Sequence, residues 1–244
     1  VPDCGNYLNS LIFRKIDVER RKLVFSSFNT GKRSEVAALL SDIDIEVLSP
    51  ADIGLKTLPE ETGLTFVENA VIKALAAATA SGLMAVGDDS GLEVDALCGR
   101  PGVHSARYAG VEHDDSANNL KLLSELVGVS NRRARFVCTT AMIIPSDVVV
   151  RASALLLPEA VQLLPDSVTE PLGVPVGWTV FCTTGYVEGV IIDDARGTDG
   201  FGYDPIFYRE DLGRTFAQMT TDEKNLLSHR GQAFARLREL LKLL

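Results

Sequence analysis

No uninterrupted apolar stretch in the chain approaches the roughly 20 residues that a bilayer-crossing helix needs. The most apolar candidate, residues 148–164, is broken by Arg151, Pro158 and Glu159, which argues against a membrane protein. Cysteine is scarce. Cys4, Cys98, Cys138 and Cys182 are the only four, and none stands in a C-x-x-C pair, so zinc-ribbon and thioredoxin-type chemistry has no support. At 244 residues the chain can bury its own core without a disulfide framework. Cys138 and Cys182 sit in apolar runs and read as small buried hydrophobes. Basic charge is also short: 24 Lys and Arg against 33 Asp and Glu give a net charge of −9. Such a body binds nucleic acid and anionic membranes poorly, so neither is expected as a partner. An anionic ligand must be held by positive charge gathered locally. Residues 1–20 include Asp3, Arg14, Lys15 and Asp17, and no small-residue cleavage pattern follows. With reduced thiols this points to the cytoplasm and leaves 1–21 as an extension of unassigned role.

What is present is the mix of an ordinary globular protein, 46% apolar and 23% charged. Residues 22–27 read as a short buried strand, broken by Asn29-Thr30-Gly31 and followed by a helix over 32–41. A strand over 43–48 and a loop over 55–64 come next. Thr65 with Glu68 forms a capping-box signature for a long helix with Phe66, Ala70, Ala74 and Ala77 on one face. Residues 83–86 read as a strand ending at Gly87-Asp88-Asp89-Ser90-Gly91. A helix over 114–127 precedes two long strands, 134–144 and 178–192, the second with a turn near Gly185 or Gly189. The proline-rich segment 145–177 between them reads as an elaborated connection. The C-terminus is an amphipathic helix with Phe234, Leu237, Leu240, Leu241 and Leu244 on its apolar stripe. Interleaved strands and helices without repeat or linker predict an α/β fold with a mixed sheet, one unit over 22–244.

Four clusters place polar residues where strands stop. Ser27-Phe28-Asn29-Thr30-Gly31-Lys32 lies between a strand and a helix, where backbone N–H groups and a lysine can hold phosphate. It is not a Walker loop, because Ser26 stands at the first glycine position; read blandly, it is a strand–turn–helix with a solvated Lys32. Asp88-Asp89, with Glu60-Glu61, forms an acidic set. Adjacent carboxylates at a strand end repel unless a cation relieves them, and oxygen-only ligands suit magnesium; for Glu60-Glu61 alone a solvated turn is the simpler reading. Gly197 to Pro205 holds three glycines around Phe201 and Tyr203, a loop that lets backbone approach a flat ligand while Phe201 stacks. Lys224, four residues before Ser228, would share its helix face, next to His229 and Arg230. A lone histidine there is usually a surface or capping residue, but the basic cluster in an acidic chain favours ligand binding.

Taken in order, these segments resemble the inosine/xanthosine triphosphate pyrophosphatases. The likeness runs through Ser27 to Lys32, Glu60 to Phe66, Asp88 to Val94, Pro101-Gly102, Ser105 to Tyr108, Gly200 to Pro205 and Ser228 to Arg230, and covers about residue 22 to the C-terminus. It implies an elongated α/β fold with a long mixed sheet and two lobes around a central cleft, usually as a homodimer. It implies magnesium-dependent hydrolysis of ITP, dITP and XTP to the monophosphate and pyrophosphate. By position, Ser27, Phe28, Asn29, Thr30, Gly31 and Lys32 would hold the phosphates with Lys73. Asp89 would be general base and metal ligand, Glu61 or Glu60 would complete the metal site, and Ser90 would contact the nucleotide. Phe201 would stack on the base, with Gly202, Tyr203 and Asp204 lining the pocket, and Lys224, His229 and Arg230 would read the purine edge. Ser27 replaces the family's usual threonine and keeps its hydroxyl; the 145–177 connection is longer than usual for the family, and the first twenty residues are extra.

Residue chemistry agrees. Lys224 and Arg230 only donate, so they favour a 6-keto purine over adenine's amino group. Two other readings are a septum-inhibition-type nucleotide pyrophosphatase with another base preference and a non-catalytic nucleotide sensor. The Phe201 loop with Ser228-His229-Arg230 argues against the first, and the retained Lys32, Glu61, Asp88 and Asp89 against the second.

Overall fold

Apolar and β-branched residues concentrate in two runs that form the longest neighbouring strands, β4 (Arg133–Ile144) and β6 (Thr179–Ile191). They pair antiparallel over their whole length, with Thr140 opposite Thr183. The computed structural model describes residues 21–111, 114–145 and 160–244. Residues 1–20 of the expected 1–21 extension and the 146–159 part of the expected connection lie outside the described residues, while Arg21 belongs to the first strand rather than to an extension. Among the described residues, the sheet has eight strands. Its path runs β2 (Ile45–Leu48), β1 (Arg21–Phe25), β3 (Met84–Val94), β4, β6, β7 (Phe207–Arg209) and β8 (Arg214–Thr215), and β5 (Val161–Leu163) pairs with β6. The pairs β1–β2 and β1–β3 are parallel and the rest antiparallel, so the sheet is mixed.

Helices cover both faces. On one, α1 (Thr30–Leu39) and α6 (His229–Leu243) bury Val36, Phe234, Leu237, Leu240 and Leu241 against Leu23, Phe25 and Val86. On the other, α2 (Phe66–Ser81) packs an alanine-rich face, Ala70, Ala74, Ala77 and Ala78, on Val24 and Ala85. The capping box is formed as expected, Thr65 accepting from the Glu68 N–H while the Glu68 carboxylate accepts from the Thr65 N–H. A third core fills the far end of β3, β4 and β6, where Leu122 and Leu126 around α3 (Asp115–Glu125) meet Leu92, Phe136, Tyr203, Phe207 and Phe216. The sheet's two ends thus carry separate cores.

Three expectations are corrected. β3 does not stop at Gly87; it continues to Val94 because β4 pairs with it residue by residue, Asp88 opposite Thr140 and Asp89 opposite Thr139. β6 has no turn at Gly185 or Gly189. Those glycines admit close neighbours: a Cβ at Gly185 would lie 2.1 Å from the His229 carbonyl, and one at Gly189 2.6 Å from the Phe207 ring. Finally, Lys224 and Ser228 do not share one helix. α5 (Thr221–Leu227) ends at Ser228, which is extended (φ −76°, ψ 156°) and caps α6 by accepting the Gly231 N–H at 3.0 Å. The short 166–172 segment forms α4 (Asp166–Thr169) and a 3₁₀ turn.

Gly87 matters for the same reason as Gly185. A Cβ there would sit 2.3 Å from the Ala70 carbonyl and 2.8 Å from the Ala74 nitrogen, so the glycine lets α2 lie on β3. Gly87→Ala is expected to cost about 1–3 kcal/mol through overpacking, read from urea denaturation. An unchanged midpoint would show that α2 can retreat without loss.

Candidate active site

Between the cores of the sheet lies a cavity of about 530 Å³, within the range of small-molecule sites. Its wall includes Ser27, Phe28, Asn29, Lys32, Glu60, Glu61 and Lys73 from the first half of the chain, and Asp89 and Ser90 from β3. Phe201, Gly202, Tyr203, Asp204, Lys224, His229 and Arg230 line it from the C-terminal third. Of the candidate residues, Thr30 and Gly31 do not line it; they form the first turn of α1 behind Asn29. Asn29 caps that helix, its Oδ1 accepting the Lys32 N–H at 3.0 Å. The Ser27 hydroxyl accepts the Asn29 N–H at 3.2 Å, and Ser26 donates to the Lys73 carbonyl at 2.8 Å. The loop after β1 is therefore tied to α2.

Strand alternation separates the two aspartates. Neighbours on a strand point to opposite faces, so Asp88 faces α1 and α6 while Asp89 faces α2. This overturns the expectation that their mutual repulsion calls for a cation, since each has its own partners. Asp88, 1% exposed, meets Lys32 Nζ at 3.1 Å and Arg230 Nε at 3.3 Å. Burial alone would raise its pKa, but Lys32 and Arg230 hold the carboxyl far below its ordinary value. Asp89 accepts from Lys73 Nζ at 3.2 Å and from Asn69 Nδ2 at 3.1 Å. There burial wins over Lys73, and Glu61 adds to it, so the carboxyl is pushed up. Lys73 is itself buried and also meets Glu61 at 2.7 Å. One ammonium thus joins two carboxylates. Glu60 stays exposed.

At the other end Phe201 is 43% exposed, and its ring has Lys224 Nζ 4.6 Å and the Arg230 guanidinium 5.9 Å from the centroid, cation–π distances. Lys224 also binds Asp204 Oδ2 at 2.5 Å; burial pushes the Asp204 carboxyl up despite that ammonium. Tyr203 spends its hydroxyl on the Ser105 carbonyl at 2.9 Å, so its phenol is a structural tie. His229 stacks on Phe136 at 4.9 Å and 12°. Burial, then the nearby Arg230 and Lys224, lower its pKa well below 6.5, and its buried Nδ1 has no hydrogen-bond partner among the described residues. One ring nitrogen is thus left free.

Sequence reasoning missed several participants. Glu35 of α1 accepts from Arg230 Nη1 at 2.6 Å. Asn69 orients Asp89. Arg107, about one-third exposed, lines the cavity and donates to the Glu61 carbonyl at 3.3 Å. Asp115 also reaches the wall. Glu35 lies three residues from Lys32 and Asn69 four from Lys73, a helical spacing that was legible. Arg107 stands in the Ser105 to Tyr108 segment of the family likeness without an assigned role, and nothing local in the sequence links Asp115 to the rest.

Fold and site together define an α/β protein built around one charged cleft with an aromatic wall. The chain belongs to the Ham1 family, whose model matches residues 23–154 and 173–240. It is 41% identical over 224 residues to the dITP/XTP pyrophosphatase of Bacillus subtilis (strain 168), and 41% identical to that of Shigella flexneri. Each match covers 91% of this chain and 98% of the relative. Among solved structures, a HAM1 protein from Coxiella burnetii superimposes with a TM-score of 0.73 and the Staphylococcus aureus Ham1 protein with 0.72. Each is 37% identical, covering 91% of this chain and 98% of that one. Among the described residues no helix is long and apolar enough to cross a membrane.

Proposed function

We propose that this chain hydrolyses non-standard purine nucleoside triphosphates, ITP, dITP and XTP, to the monophosphate and pyrophosphate. One observation carries the reading: a single cavity joins a lysine-bearing helix start and buried carboxylates at one end to a half-exposed aromatic ring under a lysine at the other. That is a phosphate end and a base end. The dITP/XTP pyrophosphatase activity for which this chain's relatives are named supports it.

The phosphates lie against Ser27, Asn29 and Lys32, with Lys73 beside them. Asp89, whose proton affinity burial raises, takes the proton from the attacking water as the oxygen bonds to the α-phosphorus. The bond from that phosphorus to the bridging oxygen breaks, and pyrophosphate leaves with the electron pair. Positioning and charge neutralisation supply most of the rate in such a displacement. Phe201 stacks on the purine, while Lys224 and His229 face its edge. Arg230, held by Asp88 and Glu35, stands between the two ends.

The donor set fits magnesium. Glu61 and Asp89 are oxygen donors that converge on one cation, the Lys73 ammonium, and Mg²⁺ is typically held by one or two carboxylates with waters and substrate phosphates. Among the described residues no three His, Cys, Asp or Glu side chains gather as a cage. Glu61 and Asp89, rather than the exposed Glu60, would hold the ion, which supplies charge neutralisation on the phosphate oxygens when bound. The free, buried Cys138 and Cys182 support a cytoplasmic location, and the family resemblance supports a homodimer.

Purified protein with magnesium and a panel of nucleoside triphosphates tests the reaction. ITP, dITP and XTP are expected to release pyrophosphate with a kcat/KM at least roughly tenfold above ATP, the scale set by one unpaired buried donor. Orthophosphate and a nucleoside diphosphate as first products would overturn the assignment.

A further inference from the structure

The tip of the Phe201 loop is held by α3, a helix with no part in the chemistry above. Asp115 Oδ2 accepts the Gly202 N–H at 2.7 Å, and Asn119 Nδ2 donates to the Gly202 carbonyl at 3.0 Å. The two side chains lie four residues apart on one helix face and grip both polar main-chain atoms of one residue. Gly202 has φ +63° and open space where a Cβ would point. Glycine is needed there for the left-handed backbone and not for room. On the other side of the ring, the Phe201 N–H donates to Asp204 Oδ2 at 2.9 Å. Phe201 is 43% exposed, so these main-chain bonds help to fix where its ring lies.

The helix that does the gripping is firmly seated. Leu122 and the adjoining Leu126 are fully buried in the far core with Tyr203 and Ile206. Asn118 accepts the Ala109 N–H at 2.7 Å and donates to the Ala106 carbonyl at 3.1 Å, tying α3 to the segment that carries Arg107. α3 therefore braces two walls of one cavity.

We infer that Asp115 and Asn119 are positioning residues for base recognition, setting the Phe201 ring through the Gly202 main chain and so fixing where a purine lies relative to Lys224. The inference rests on the proposed nucleotide reaction and adds the residues that hold its selectivity. Neither side chain needs to touch the base. Loosening the loop displaces the stacking surface at the base end and leaves the phosphate end, built on other cores, in place.

Steady-state kinetics with dITP and ATP on Asp115→Ala and Asn119→Asp, the latter isosteric and lacking the donor, separate this role from a general structural one. KM for dITP is expected to rise roughly tenfold to a hundredfold, with kcat changed far less, and the dITP/ATP ratio of kcat/KM to narrow. Inhibition by IMP should weaken in parallel, whereas inhibition by pyrophosphate should stay as in the parent. Asp115→Asn keeps an acceptor oxygen and should recover most of the parental KM. An unchanged dITP KM in both variants, or equal weakening of IMP and pyrophosphate, would overturn the inference. If the parent chain releases no pyrophosphate from dITP, the proposed reaction fails. IMP binding by calorimetry to the parent and to Asn119→Asp then decides the positioning role separately: weaker binding by the variant supports it, equal binding or none to the parent overturns it.

Discussion

Asp89→Asn is expected to lower kcat by about 10²- to 10⁴-fold, the usual contribution of a positioned general base, while the protein melts within a few degrees of its parent. The second half of that expectation follows from electrostatics. Burial raises the Asp89 pKa, with Glu61 adding to it against Lys73. A carboxyl whose folded pKa lies above its unfolded value favours the fold most when protonated, and that advantage is lost as pH rises through the folded pKa. Once ionised, Asp89 is thus a burden on the fold. The amide removes it, can still accept from Asn69, and leaves Lys73 paired with Glu61 at 2.7 Å. Pyrophosphate release and a thermal melt on the same preparation check both halves. A folded Asp89→Asn protein with near-parental turnover would remove Asp89 from the role of base.

Arg230→Ala should strike the fold instead, costing about 3–5 kcal/mol, the scale for removing one partner of a buried ion pair. Arg230 is 2% exposed and holds both Asp88 and Glu35; without it Glu35 loses this ion pair, and Asp88 keeps Lys32 at 3.1 Å and the Ser90 hydroxyl at 3.3 Å. The deficit should be greatest above the ordinary carboxyl pKa and shrink in acid. Asp88 has a depressed pKa, so it contributes stability above the ordinary carboxyl value of 3.8 and loses it as pH falls toward the folded value. Removing Arg230 raises that folded value, so acid unfolding should begin at a higher pH than in the parent. Urea denaturation at neutral pH and an acid titration followed by circular dichroism provide the measurement. A variant as stable as its parent would mean that Asp88 and Glu35 find other partners.

How much could be read from the sequence depended on how local each signal was. The turn after β1, the Thr65 capping box and the run from Phe201 to Asp204 are each written in a few consecutive residues, and Ser27, Phe28, Asn29, Lys32 and Phe201 to Asp204 line the cavity. β3 was misjudged because Gly87-Asp88-Asp89-Ser90-Gly91 reads as a turn; pairing with β4 carries the strand through it, a tertiary effect that overrides local propensity. That error also produced a wrong motive for the metal, since residues in an intact strand alternate between faces and the two aspartates never confront each other. The break at Ser228 was likewise hidden, because a serine continues a helix on paper as easily as it caps the next one. Arg230 was legible as a cation but not as the centre of an ion-pair network, whose other members lie 142 and 195 residues away. The brace from α3 to Gly202 spans 87 and 83 residues and leaves no periodic or spacing trace.

The pairing of charges around the cleft has a consequence for how a polyanion arrives. Among the described residues, five Lys and Arg side chains and six carboxylates line the cavity, so the wall is near neutrality within a chain of net charge −9. Such a surface projects no attractive field beyond a Debye length of about 8 Å at physiological salt, and a triphosphate is not steered in from solution. Under the proposed reaction, capture would be an exchange at contact distance, in which Lys32 and Lys73 leave Asp88 and Asp89 to meet phosphate. At low salt the net charge of −9 repels a polyanion, so encounter is expected to quicken as ionic strength rises, and abundant polyanions without a matching base gain no foothold from charge alone.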